Sequence, residues 1–125
     1  MASIYLYVNA AIYLLFSIWC TFAASSTAHS LGFIGMTNSG RAEYLTVYGG
    51  LQLGLALIFG WTAWSGEIRF GLIVALALYA PIVLWRIAGL AMHWPVANAT
   101  LYVAALEAAM LVAGLLLWLN QARAR

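Results

Sequence analysis

Arg86 and Glu107 are the residues whose types and spacing point most directly to chemistry. Each lies inside a long apolar segment, in a chain with only five Lys or Arg and three Asp or Glu. A lone Arg or Glu at membrane depth costs at least about 2.5–3.5 kcal/mol on insertion scales, so the two are expected to pair. A buried Arg–Glu pair is compatible with a ligand pocket, a proton path or a register-setting ion pair, since its guanidinium has donors to spare. Around the pair a polar network is expected from Arg41, Glu43, Tyr48, Gln52 and Tyr79. Arg41, Tyr48 and Gln52 are separated by seven and four residues, Tyr79, Arg86 and His93 by sevens, and Thr100, Glu107 and Gly114 by sevens. Each set falls on one face of a helix. Glu43 is out of phase, and is expected to pair with another helix, with Arg41 after local unwinding, or with a partner.

The elements that must position these groups follow from composition. The 125 residues are 66% hydrophobic and 6% charged, with mean hydropathy +0.98. Soluble domains are about a quarter charged. So few charges cannot cover a water-facing surface, and the bilayer is the expected solvent. The expectation is an all-α integral membrane four-helix bundle, a single domain over residues 1–125, with helices at about 4–24, 41–64, 70–91 and 96–119. The first segment has no Lys or Arg ahead of it and is long for the core of a cleaved signal, so it reads as a retained helix. Residues 25–40, rich in Ser, Thr, Gly and Asn, read as a loop, with Asn38 or Ser39 capping the second helix. Gly50 and Gly54 form a Gly-x-x-x-Gly suited to close helix contact, and Pro81 is expected to kink the third helix. On the first helix, Asn9 shares a face with Tyr13, Phe16 and Cys20, and either bonds a neighbouring helix or meets interfacial water.

Four crossings put both termini on one side, together with Arg69, Arg123 and Arg125, against Arg41 on the other. The positive-inside rule then makes the termini cytoplasmic and the protein a multi-pass inner-membrane protein. Counted from the opposite surface at 1.5 Å per residue, Tyr48 lies about 9 Å deep, Gln52 about 15 Å, Arg86 about 10 Å and Glu107 about 16 Å. The depths therefore match well enough for Arg86 and Glu107 to meet, with Tyr48 or Gln52 as a further partner and a pocket between the second, third and fourth helices.

Other chemistries find little footing. The single cysteine, Cys20, excludes an intramolecular disulfide and a cysteine-based metal site. His29 and His93 share no ligand motif and read as interfacial, so neither a metal nor a cofactor is expected. A net charge of +2 from scattered arginines gives no nucleic-acid footprint. There is no phosphate loop and no nucleophile–base signature.

The run Arg41-x-Glu43-x-x-x-x-Tyr48-Gly49-Gly50-Leu51-Gln52-Leu53-Gly54, followed by Arg86 and Glu107, resembles domain-of-unknown-function family 4345. These are small four-helix bacterial membrane proteins, loosely grouped with DoxX/DoxD-like proteins. The resemblance spans nearly the whole chain and implies an integral four-helix bundle; it carries no activity, because the family has no established one. The expected function is non-enzymatic: binding of a small ligand or membrane lipid, or service as an accessory subunit of a membrane complex. The alternatives are an enzyme acting on a lipophilic substrate through Glu107 and Arg86, and a small transporter working as a homo-oligomer.

Overall fold

The computed structural model describes residues 1–123. Arg125, counted in the charge balance above, lies outside them. Among the described residues the chain is helical with no strand. The elements are α1 (Ala2–Phe22), α2 (Ala24–Ser30), α3 (Asn38–Ser65), α4 (Ile68–Met92) and α5 (Asn98–Arg123). Four of them, of 21, 28, 25 and 26 residues, are long and apolar enough to cross a membrane. At 1.5 Å per residue the shortest spans about 31 Å, close to a hydrocarbon core of about 30 Å. The outward faces of the long helices are largely apolar, with Phe22, Trp64, Trp85 and Leu116 exposed. Such a surface suits lipid and not water.

The helices run alternately up and down. A Cβ on Gly49 would meet Thr21 near one end of α1, and a Cβ on Gly71 would meet Leu6 near the other. Arg69, at the start of α4, lies 5.4 Å from the ring centre of Trp118 near the end of α5. The most extensive packing joins α1 to α3 and α4 to α5, and α1 also reaches across to α4. The core holds Leu6, Phe59, Leu72 and Ala75, none with accessible surface, and Tyr13 stacks on Phe59 with ring centres 5.7 Å apart. Helices of this apolarity, where they lie in lipid, are held together by close packing and hydrogen bonds and not by exclusion of water, because lipid tails are as apolar as their side chains. Gly71 illustrates the packing: a Cβ there would lie 2.6 Å from Leu6 Cδ1 and 2.8 Å from Thr62 Oγ1.

Three local features differ from the sequence expectation. Residues 25–40 are not all loop, because Ala24–Ser30 is helical. Hydroxyls that usually compete with helix fold back onto its own carbonyls here: Thr27 Oγ1 donates to Ala23 O at 3.0 Å and Ser30 Oγ to Ser26 O at 3.0 Å. Thr27 and Ala28 are buried, and Tyr44 Oη donates to Thr27 Oγ1 at 2.9 Å, which ties α2 to α3. Gly32, at φ +87°, ends α2; its N–H bonds His29 O and the Phe33 N–H bonds Ala28 O, the paired closure of a Schellman motif.

The second difference is the cap of α3. Thr37, not Asn38 or Ser39, has extended φ/ψ, and its hydroxyl accepts from the Gly40 N–H at 3.2 Å. The third is a π-helical turn over Leu45–Leu51, between the α-helical stretches Asn38–Tyr44 and Gln52–Ser65. Wider i→i+5 bonding loosens the local carbonyls, and Ser17 Oγ on α1 donates to Gly49 O at 2.8 Å. Pro81 is accommodated inside α4, which runs unbroken through it.

Candidate functional site

Arg86 on α4 and Glu107 on α5 meet directly. Nε donates to Oε2 at 2.8 Å and Nη2 to Oε1 at 2.7 Å, a two-point fork. The Glu107 side chain is 15% exposed and that of Arg86 32%. Two of the five guanidinium N–H donors are used, so three remain. The expected further partners do not bond the pair. Tyr48 makes no side-chain hydrogen bond among the described residues; its ring is stacked on Tyr44 with centres 4.6 Å apart and edged by Phe33 at 5.9 Å. Gln52 is half-buried and makes no side-chain hydrogen bond among the described residues. Entering through the π turn, α3 presents an aromatic cluster to this end of the bundle and not a polar stripe.

Tyr79 shares a stripe with Arg86 but serves a different neighbour. Its hydroxyl donates to Asn9 Oδ1 at 2.7 Å, and Asn9 Nδ2 donates to Tyr5 O at 2.8 Å. Tyr5 Oη in turn donates to Met110 O on α5 at 2.8 Å. Asn9 has no accessible surface, so of its two expected roles it takes the helix–helix bond. The polar interior is therefore built as much on α1 as on the other three long helices. The signal was present as Tyr5, Asn9, Tyr13 and Ser17, one every four residues and all buried.

Arg41 and Glu43 stay at the exposed start of α3 and form no ion pair among the described residues. Arg41 and His29 share a cleft of about 290 Å³ with Tyr44. His93 is exposed just beyond α4.

Two further cavities flank the start of α5. One, of about 300 Å³, lies between α1, α2 and α5 and is lined by Phe16, Trp19, Cys20, Thr27, Val103 and Leu106, among others. The other, of about 430 Å³, lies between α4 and α5 and is lined by Ile82, Trp85, Arg86, Gly89 and Thr100, among others. Val103 and Thr100 stand one and two turns before Glu107 on α5, and the charged pair borders the second cavity through Arg86. Compared with family models, curated proteins and solved structures, the chain has no significant match.

Proposed function

We propose that this protein is a non-enzymatic, multi-pass inner-membrane protein with both termini cytoplasmic, which binds a small lipophilic ligand or lipid within its bundle. The resemblance to domain-of-unknown-function family 4345 is part of this reading. The observation that carries it is the cavity of about 300 Å³ between α1, α2 and α5. It is of the size that small-molecule sites occupy, about 300–1,000 Å³, and has the mostly apolar wall such sites share. Its hydroxyl-bearing residues are Thr27 and Ser30 on α2 and Tyr102 on α5. Glu107 favours binding over acid–base catalysis, because both of its oxygens already accept from Arg86.

The test uses Cys20, the single cysteine, which lines this cavity and is 2% exposed. Protein purified in mild detergent is expected to release a lipophilic molecule on solvent extraction. Adding that extract back to stripped protein is expected to slow modification of Cys20 by a small apolar thiol reagent several-fold. Protein that yields nothing on extraction, and whose Cys20 reacts at one rate with or without a membrane lipid extract, would count decisively against the proposal.

A further inference from the structure

The geometry points to a second binding site, between α4 and α5, for a neutral lipophilic molecule that carries a carbonyl oxygen. It lies on a different face of α5 from the cavity used above, so either site can fail without the other.

The cavity of about 430 Å³ has a mostly apolar wall, and two side chains in it can donate hydrogen bonds: Arg86, which only donates, and Thr100, whose hydroxyl can also accept. Arg86 lines it, and three guanidinium N–H groups are not engaged by Glu107. Thr100 lines it too, and its hydroxyl makes no side-chain hydrogen bond among the described residues. An apolar hollow whose wall carries such donors calls for an acceptor oxygen on an apolar body.

Charge then selects the kind of acceptor. Arg86 is already matched by one carboxylate at 2.7 Å, and no second cationic side chain lines the cavity among the described residues. A carboxylate or phosphate brought here would leave one uncompensated negative charge beside Glu107 at low dielectric, which is costly. An ester or ketone oxygen accepts the same N–H groups and adds no net charge. Trp85 lines the cavity and is 73% exposed, so an apolar chain has a route out past it along α4 towards lipid. The ester carbonyl of a bilayer lipid and a free lipophilic ester or ketone share this chemistry.

Gly89 makes the site testable without touching the ion pair. Gly89 lines the cavity and a Cβ built there meets nothing within 4 Å, so Gly89→Leu is expected to take up cavity volume with Arg86 and Glu107 unaltered. The full chain in mild detergent is titrated with radiolabelled methyl oleate, with sodium oleate at pH 8, and with diacyl phosphatidylcholine as a competitor. The relevant binding is the part that Gly89→Leu removes. One methyl ester per chain is expected in that part, with Gly89→Leu weakening it by about tenfold or more and Thr100→Val by about fivefold, the loss of one hydrogen bond. Oleate is expected to bind at least about tenfold more weakly than its methyl ester. Competition by the phospholipid supports the site and assigns it to bilayer lipid; absence of competition, with the ester still bound, supports it and assigns it to a free molecule. Equal ester binding by wild type and Gly89→Leu overturns the proposal, and so does oleate binding as tightly as the ester. Should Gly89→Leu fail to fold, Thr100→Val and the ester–carboxylate comparison decide, and unchanged affinity in both overturns it.

Discussion

Replacing Arg86 by Met should destabilise the bundle by about 3 kcal/mol, and removing both charges should cost less than the two single changes added together. The magnitude follows from where the pair sits. Breaking a fully desolvated pair costs about 3–5 kcal/mol, and an exposed pair is worth about 0.2–1 kcal/mol. Glu107, at 15% exposure and bonded on both oxygens, lies near the first limit, and Arg86, at 32%, relaxes it somewhat. Arg86→Met strands the carboxylate. Glu107→Gln keeps one acceptor for the guanidinium and should cost about 2 kcal/mol, as the loss of a charge-assisted bond does. The double variant strands no charge and should also cost about 2 kcal/mol, leaving a coupling of about 3 kcal/mol. Equilibrium unfolding in mixed micelles, by titration with a denaturing detergent, measures all four proteins on one scale. Single effects that add to within about 0.5 kcal/mol would refute the reasoning, because they would mean that the two side chains do not share an interaction.

Three further outcomes follow from the packing. Gly71→Ala should destabilise by about 1–3 kcal/mol, because its Cβ would press on Leu6 and Thr62, which have no accessible surface to move into, whereas Gly54→Ala meets nothing and should be neutral or mildly stabilising in the same unfolding assay. Asn9→Leu strands the buried Tyr79 hydroxyl and should cost about 1–3 kcal/mol, and adding Tyr79→Phe should recover part of that loss. Ser17→Ala frees the Gly49 carbonyl, and amide exchange over residues 45–51 should accelerate about fivefold, as loss of roughly 1 kcal/mol of local stability requires; unchanged exchange would mean that the hydroxyl does not hold the turn.

The long helices were legible because length and apolarity alone specify them, and Arg86 with Glu107 because depth can be counted along two straight segments. The remainder was hidden for separate physical reasons. In α2, Ser and Thr are loop-forming by composition, and only burial of Thr27 under Tyr44 makes them helical. The Gly49-Gly50 stretch reads equally well as a packing surface and as a π turn, since both want small residues; the deciding bond comes from Ser17, 32 positions away. That turn also explains the missing partners of the pair: phases counted through an unbroken α-helix carry Tyr48 and Gln52 into the polar interior, and the wider turn redistributes them. Tyr79 and Arg86 share one face, but two turns of rise bring different neighbours, Asn9 on α1 and Glu107 on α5, against it.

The π turn also gives α3 one residue of slack between two fixed ends. Its leading stretch is keyed to α2 through Tyr44 and Thr27, its trailing stretch to the core through Phe59 and Thr62. Each residue of α-helix turns the chain by about 100°, and each residue of the wider π turn by less. Deleting one residue between 45 and 51 would let that turn close into ordinary α-helix, and the tighter winding of the remaining residues would nearly make up for the rotation lost with the deleted one. Tyr44 could then stay on Thr27 and Phe59 on Tyr13, while the Gly49 carbonyl would return to the α-helical ladder and leave Ser17 without its acceptor. The extra residue thus works as a local splice: it hands one carbonyl to a neighbouring helix without turning the two ends of α3 against each other.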